Sequence, residues 1–351
     1  MCLYKIELFA ERNGIMAITM KDVAREAGVG LGTVSNYLSG KANVSEEKRQ
    51  AIDVAIKELN YKFNSTAQAL KTKKFMYIGV LISAFTNHFI MNLLSLLERE
   101  LQTQGYHMIV LEHSIDEATF TQHITHLINR VDGLIAFTNH LDVYTIIKES
   151  ALPTVIYSHT LLDYKFDHVI PNLKFDHVMP DLLSISRTAT AALLKKGHRK
   201  IAMLAGFKNI DISPDIIGYK EAYEQANLPF DQSLVFAANA PMTNPQKIKV
   251  LLATHPDITA FVALSYRQTI TIWTELSKLN LLDKICIIGH DCSDISGLMH
   301  PPMCYTYASY SETTQELVNL LLSRIRSTTE SANLVIIKER IANEKNIPPI
   351  Q

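Results

Sequence analysis

The sequence predicts a small all-α module at the front of the chain, followed by a larger α/β body with parallel sheets. Two observations lead to this fold class. Three short helical patterns, each with one apolar face, lie within residues 16–63, and after residue 75 short β-branched runs alternate with helical patterns. A chain of 351 residues, 47% of them hydrophobic, is long enough for about two or three domains. We place the boundaries at residues 1–15 for an N-terminal extension, 16–63 for the front module, 64–74 for a linker and 75–351 for the body.

Composition and hydropathy argue against an exported or membrane protein. The four cysteines are too sparse for a disulfide framework, and none forms a CxxC pair of the kind that metal sites use. No apolar run approaches the length of about 18 residues that a membrane span needs, and charged residues interrupt the first segment, MCLYKIELFAERNG. We expect a cytoplasmic protein with no membrane partner, no metal ion and no cofactor.

The charge of the chain is unevenly distributed. Residues 16–74 carry ten Lys or Arg against six Asp or Glu, whereas residues 75–351 carry 22 against 27. A basic module attached to an acidic body predicts a polyanionic partner for the front of the chain.

A segment with three glycines, AGVGLGTVSNYLSG at 27–40, raises the question of a nucleotide-binding loop. Such a loop needs a β-strand directly before its first glycine. The preceding TMKDVAREAG instead predicts a short helix, with Thr19 and Asp22 as a capping box and Gly28 at its end. The glycines therefore join one helix to another.

Two further helices follow from the same patterning. LGTVSNYL predicts a second helix with Val34, Tyr37 and Leu38 facing inward, and VSEEKRQ starts a third with Ser45 as its N-cap. This helix-turn-helix pattern by itself leaves two interpretations open, because such units bind DNA and also occur as plain helical hairpins.

The residues of both modules resemble one known family. TMKDVAREAGVGLGTVSNYLSG and the following VSEEKRQAIDVAIKELNYKFNSTAQALKTKK are similar to the DNA-binding headpiece and hinge of the lactose-repressor/galactose-repressor (LacI/GalR) transcription factors. Further on, IGVLISAFTNHF, KKGHRKIAMLAG and IIGHDCSD resemble segments of that family's core. The resemblance spans residues 17–345 and implies a helix-turn-helix headpiece, a hinge helix, and a dimerising type I periplasmic-binding-protein-like core of two α/β subdomains.

The resemblance also implies how the headpiece meets DNA. The second helix would enter the major groove and the hinge helix the minor groove, where Leu70 would act as an apolar wedge; the other interpretation makes Leu70 an amphipathic linker residue. The implied DNA contacts are Thr19, Leu31, Gly32, Thr33, Ser35, Asn36, Tyr61, Asn64, Ala67 and Leu70. The family commonly has Arg where this chain has Asn36, and because Asn pairs with adenine while Arg pairs with guanine, we predict an A·T preference at one half-site position.

For the body, the resemblance implies a small-molecule effector, a sugar or related metabolite, in the cleft between the subdomains. Asn87, Phe89 and Asp291 match family contact positions, although Phe89 could be ordinary core and Asp291 could cap a turn. Other cleft positions differ: Asp215 stands where an arginine is usual, and an Asn-Asp pair is replaced around Tyr266 and Arg267. These changes predict a charge pattern unlike that of the usual sugar site.

The body contains a tandem repeat, KFDHVIPNL at 165–173 followed by KFDHVMPDL at 174–182. The DxH pairs suggest metal ligands, but their spacing matches no known ligand pattern; they are Asp167, His168, Asp176 and His177. We expect a local duplication that forms a longer surface loop.

These observations predict a sequence-specific transcriptional regulator, a repressor, that binds a pseudo-palindromic operator in double-stranded DNA as a homodimer. The sequence has no nucleophile elbow and no phosphate-binding loop, so we do not expect an enzyme. The alternative is a solute-binding protein that uses only the body. Whether the effector induces or corepresses is left open.

Overall fold

The computed structural model describes residues 18–38, 44–62, 74–113, 117–138, 141–158, 175–205, 213–237, 245–326 and 331–350. The chain divides into two compact units, Met1–Phe75 and Met76–Gln351. Several predicted features lie outside the described residues: the extension 1–15, the first repeat copy 165–173, and the hinge residues Asn64, Ala67 and Leu70.

The front unit contains three helices: α1 Met20–Glu26, α2 Leu31–Leu38 and α3 Glu46–Glu58. The capping box is present, because the Thr19 backbone N–H and hydroxyl both donate to the Asp22 carboxylate, at 2.9 and 2.7 Å. Gly28 has φ +64°, the left-handed conformation expected just after a helix. Val34 and Ile52 are fully buried in the shared core. The predicted three-helix module is confirmed.

The first half of the core is a six-stranded sheet in the order β11-β5-β4-β3-β1-β2, in which every pair is parallel. Its central strands β1, β3 and β4 are buried between helices, which is why they read as continuous apolar runs. In chain order the elements are β1 Tyr77–Ile82, α4 His88–Thr103, β2 His107–Glu112, α5 Glu117–Ile128, β3 Gly133–Phe137, α6 Leu141–Ser150, β4 Thr154–Tyr157 and β5 Asp176–Pro180.

The second half has the sheet order β12-β10-β9-β8-β6-β7, parallel except where β12 pairs with β10. Its elements are α7 Leu182–Lys195, β6 Ile201–Ala205, α8 Pro214–Gln225, the 3₁₀ turn Gln232–Leu234, β7 Val235–Ala237, α9 Pro245–Thr254, β8 Ala260–Val262, α10 Tyr266–Lys278, β9 Cys286–His290 and β10 Cys304–Ala308. The chain then gives α11 Tyr310–Arg326 and β11 Leu334–Ile337 to the first half, and β12 Glu339–Ala342 and the 3₁₀ turn Glu344–Asn346 to the second.

The chain crosses between the halves after β5, after β10 and after β11. The crossing after β5 and the crossing after β11 contact each other, since the Asp181 N–H donates to the Ile337 carbonyl at 3.0 Å. In parallel α/β sheets, ligands bind beyond the carboxyl ends of the strands. The segments after β1, β4 and β9 are therefore where a site between the halves is expected. The predicted α/β core with parallel sheets is confirmed.

Candidate functional site

The first candidate surface is the N-terminal turn of α2. Leu31 is 43% exposed, whereas Val34, three residues later, is fully buried. A helix needs both features to dock on its own module and to present its first turn to a groove. Of the other predicted contacts, Gly32 is exposed, and Thr33, Ser35 and Asn36 are half-buried on the same helix.

Three side chains of the front unit are held within it. Thr19 caps α1 through Asp22, and Tyr61 packs against the helical core. The Tyr37 hydroxyl donates to the Asp53 carboxylate at 2.5 Å, which raises the pKa of Tyr37. Tyr37 therefore ties α2 to α3, which fits the packing role that its position in the pattern predicts.

The second candidate site begins at the first turn of α4. Asn87 is the N-cap of this helix, and its Oδ1 accepts from the Ile90 N–H at 3.3 Å. Phe89 is half-buried, with its ring centroid 5.2 Å from that of Tyr157 and 5.4 Å from that of Tyr310. The three rings form one aromatic wall, and Phe89 packs against the core of the first half. Its predicted contact with a ligand in the cleft stays a prediction.

His88 joins the two halves of the core. Its ring stacks on Tyr266 of α10, with centroids 4.1 Å apart and planes at 19°, and its Nε2 lies 3.3 Å from the Asp294 carboxylate. On its own side, Asn92 Nδ2 is 3.0 Å from the same Nε2 and donates to the Tyr310 hydroxyl at 3.3 Å. These contacts bring the predicted residues Phe89 and Tyr266 into one connected group.

The acidic side of the cleft is built around His290 at the end of β9. Its Nε2 lies 3.4 Å from the Asp291 carboxylate and its Nδ1 3.6 Å from that of Glu339. Nδ1 is also 2.9 Å from the Thr306 hydroxyl. Asp291 has φ 52°, and its N–H donates to the Thr306 carbonyl at 2.9 Å. The backbone thus fixes Asp291 where β9 ends.

Burial and mutual charge shift the titration of this cluster. For His290, burial lowers the pKa, but the carboxylates of Asp291 and Glu339 outweigh it and raise the pKa to about 9. For Glu339, burial raises the pKa, His290 lowers it and Asp291 raises it, with a result of about 7. The negative charges of Asp291 and Glu339 also add to the effect of burial in raising the pKa of Tyr157.

The remaining predicted cleft residues lie on α8 and α10. Asp215 is 2% exposed and accepts from the Ser213 hydroxyl and from the Ile216 N–H, so these contacts are local to the start of α8. Arg267 is exposed beside Tyr266. Sequence reasoning missed His88, Tyr157, Tyr310 and Glu339, although the flanking positions Asn87 and Phe89 were identified.

The second copy of the tandem repeat forms β5 and is structural. The Asp176 carboxylate accepts from Arg324 Nε at 2.6 Å and Nη2 at 2.9 Å, and the His177 Nε2 is 2.6 Å from the Tyr144 hydroxyl. Within the described ranges, no group of three or more His, Cys, Asp or Glu side chains could hold a metal ion. The surface-loop prediction concerns the first copy and stays a prediction.

Comparison with known proteins matches both units. The sequence pattern of the family described as "Bacterial regulatory proteins, lacI family" fits residues 19–64, and that of "Periplasmic binding proteins and sugar binding domain of LacI family" fits residues 76–298. The chain belongs to the LacI family. It is a DNA-binding transcriptional regulator with a sugar-binding-type effector domain, as the sequence predicted.

Curated relatives and solved structures agree with this assignment. The ribose operon repressor of Escherichia coli (strain K12) is 28% identical over 321 residues, which cover 89% of this chain and 94% of the relative. The transcriptional repressor PurR of Actinobacillus pleuropneumoniae serotype 3 is 26% identical, with 88% and 91% covered. The lac repressor dimer bound to operator and the anti-inducer ONPF is similar in fold, with a TM-score of 0.75 at 19% identity, covering 95% of this chain and all of that one. The relatives are repressors, and no helix in the described part of this chain is long and apolar enough to cross a membrane.

Proposed function

We propose that the protein represses transcription by binding a pseudo-palindromic operator as a homodimer, and that an effector in the cleft of the core, a sugar or related metabolite, controls operator affinity. It acts in the cytoplasm and catalyses no reaction. A single helix-turn-helix reads only a half-site, so a symmetric operator requires two copies. The relatives named ribose operon repressor and transcriptional repressor PurR support the repressor role, and the first of these names supports a sugar-related effector.

The observation that carries the DNA role is the first turn of α2. Its exposed Leu31 and Gly32 precede a helix whose Val34 is fully buried, so the turn can approach base edges while the module stays folded. We assign base reading to Leu31, Gly32 and Asn36, and phosphate contacts to Thr33 and Ser35. The hinge contacts assigned to Asn64, Ala67 and Leu70 rest on the family resemblance.

Selection of random duplex DNA by the full-length protein tests this proposal. We expect a pseudo-palindrome with a flexible central step, because an apolar wedge enters most easily at pyrimidine-purine steps. Asn36→Arg should change one half-site position from A·T to G·C, and a bidentate contact of this kind discriminates by about 1–3 kcal/mol. Lys220→Gln, in an exposed pair with Glu224 on α8, is the matched control and should leave the selected sequence unchanged.

The selection is run without effector and again with a mixture of sugars and nucleosides. Enrichment only in the second arm identifies a corepressor, and enrichment only in the first identifies an inducer. No enrichment in either arm, with protein that remains folded by circular dichroism, contradicts the proposed DNA role.

The observation that supports effector control is the bridge at His88. His88 belongs to the first half, and it stacks on Tyr266 and approaches Asp294 of the second half. A ligand bound beside His88 would therefore affect the separation of the two halves. An effector shifts the conformational equilibrium only if it binds the two arrangements with different affinities. An effector that contacts both halves would have this difference in affinity, because it can make both sets of contacts only when the halves are close.

A further inference from the structure

We propose that the effector of this protein is cationic, and that the carboxylates of Asp291 and Glu339 recognise an ammonium or comparable N–H⁺ group of the ligand. The inference rests on the proposed effector control and specifies the chemical class of the ligand.

The two carboxylates are close together and buried. Both lie within ion-pair distance of the same His290 ring, at 3.4 and 3.6 Å. Their side chains are 4% and 1% exposed. They come from different elements, Asp291 directly after β9 and Glu339 at the start of β12, and both elements flank β10. The fold therefore concentrates two acids at the point where the chain crosses between the halves.

Three of the four carboxylate oxygens of the two acids lack hydrogen-bond donors from the residues that the structure describes. Among the described residues, Asp291 Oδ1 and both carboxylate oxygens of Glu339 are buried and accept no hydrogen bond. The Ser158 hydroxyl, which follows β4 and is 3% exposed, also has no hydrogen-bond partner in the described part of the chain. Buried carboxylate oxygens are normally satisfied, because leaving them without donors is costly. A ligand that brings several N–H donors would satisfy them.

The charges are also unbalanced when Glu339 is ionised, and a bound cation would favour that state because the pKa of Glu339 is raised to about 7 without it. His290 can neutralise one of the two carboxylates, and no ion pair among the described residues joins either acid to a lysine or an arginine. Two further carboxylates add negative charge, since Asp181 acts on Glu339 and Asp294 acts on Tyr310. The Cys292 thiol stays neutral, because burial raises its pKa to about 12. His88 faces Asp294 at the other end of the group. A cationic ligand would supply the missing positive charge, whereas a neutral sugar would not.

The aromatic wall of Phe89, Tyr157 and Tyr310 lies within electrostatic reach of the acids. The charges of Asp291 and Glu339 reach the Tyr157 hydroxyl, and that of Asp291 reaches Tyr310, where each adds to burial in raising the pKa. The Phe89 ring packs within 5.2 and 5.4 Å of these two rings. Aromatic faces next to carboxylates are the combination that binds ammonium groups, because the ring quadrupole attracts a cation.

The test compares ligands that differ only in charge. The full-length protein is titrated by calorimetry with three pairs, D-glucosamine and D-glucose, D-galactosamine and D-galactose, and cyclohexylamine and cyclohexanol, and with the N-acetylated amino sugars as neutral controls. We expect the amine of at least one pair to bind about tenfold more tightly than its neutral partners, a preference that corresponds to one desolvated cation–carboxylate contact. Equal or tighter binding of the neutral members, or binding by no amine, overturns the proposal.

Variants connect the preference to the two acids. Asp291→Asn and Glu339→Gln keep the shape and remove the charge, and each should abolish the preference for the amine. Glu224→Gln, an exposed acid paired with Lys220, is the matched control and should retain it.

A measurement without ligand gives a second readout. If Glu339 is held in place for a ligand, the ligand-free Glu339→Gln variant should melt at or above the temperature of the wild type, because an unsatisfied buried charge is removed. If Glu339 serves only as the structural partner of His290, the same variant should melt at a lower temperature, and that result overturns the proposal.

Operator binding separates the two claims. An amine that binds without changing operator affinity contradicts the proposed effector control and leaves the cation site in place. A neutral sugar that changes operator affinity, while amines do not bind, contradicts the cation site and leaves effector control in place.

Discussion

The buried ion pair between Asp176 and Arg324 should dominate the stability of the first half of the core. The Asp176 side chain is 1% exposed and that of Arg324 is 17% exposed. Besides the two bonds from Arg324, the carboxylate accepts from the Asn333 N–H at 2.7 Å and from its side-chain amide at 3.2 Å. One side chain thus fastens α11 and the segment before β11 to the strand that crosses into the second half.

Asp176→Asn keeps the shape but leaves the guanidinium without its counterion and turns an NH₂ group toward donors. Breaking one side of a buried pair costs about 3–5 kcal/mol. Since 1 kcal/mol shifts the Tm of domains of this size class by about 2–4 °C, the expected fall is roughly 6–20 °C. The free energy of unfolding in urea and the Tm, both followed by circular dichroism on the full-length protein, measure it.

An exposed pair provides the control. Arg340 and Glu312 lie 3.3 Å apart with side chains 55% and 42% exposed, so Glu312→Gln should cost about 1 kcal/mol or less. If Asp176→Asn destabilises the protein no more than this control does, burial does not make the Asp176 pair important and the reasoning is wrong.

Three further predictions follow from the packing and the cleft. A Cβ at Gly218 of α8 would overlap the backbone carbonyl of Leu183 in α7, so Gly218→Ala should lower the free energy of unfolding in urea by about 1–3 kcal/mol. Gly297→Ala is the control and should be near neutral, because a Cβ there meets nothing within 4 Å. Equal effects of the two substitutions would refute the close packing of α7 and α8. His88→Ala removes the ring stack on Tyr266, which is worth about 0.5–1.5 kcal/mol. The substitution should speed amide hydrogen exchange in the first turns of α4 and α10. Unchanged exchange would mean that the contact between His88 and Tyr266 does not hold the two halves of the core together. Because burial raises the pKa of Glu339 from 4.5 to about 7, the folded protein binds an extra proton between these pH values, and the free energy of unfolding should fall as pH rises from 4.5 to 7. Urea titrations at each pH measure this slope, and Glu339→Gln should flatten it. An unchanged slope in the variant would assign the pH dependence to another group.

The sequence predicted the three helices of the front unit and the alternation of short strands with helices in the body. The runs at the centre of the first sheet became strands buried on both faces, for example β1 and β3, because parallel strands covered by helices need apolar side chains throughout. The capping box at Thr19 and the turn at Gly28 were predictable because they depend on residues within one turn of each other.

The site was predicted only where it coincides with local signals. Asp291 and Phe89 follow strands at positions that match the family, and the structure joins them through neighbours that the pattern could not identify. Asn92 meets Tyr310 from 218 positions away along the chain, and Glu339 reaches His290 because β12 pairs beside β10. Such contacts depend on sheet order and on the crossings between halves, which periodicity does not encode.

Asp215, an acid where the family usually has an arginine, shows the same limit at a position that the sequence did single out. Its position suggested a cleft contact, and its described contacts are with Ser213 and Ile216 at the start of α8. A carboxylate near a helix N-terminus has a local use that competes with a ligand role. Residue type and position do not separate the two uses before the backbone is known.

The most direct test of effector-controlled repression is the affinity of the full-length protein for its selected operator, measured by fluorescence anisotropy with and without a ligand that binds the core. A scrambled duplex of the same composition is the control, and the salt concentration is fixed because phosphate contacts make affinity salt-dependent. The account predicts that the ligand changes operator affinity by about 5–150-fold and leaves the scrambled duplex unaffected. A ligand that saturates the core without changing operator affinity, or equal affinity for both duplexes, would contradict it.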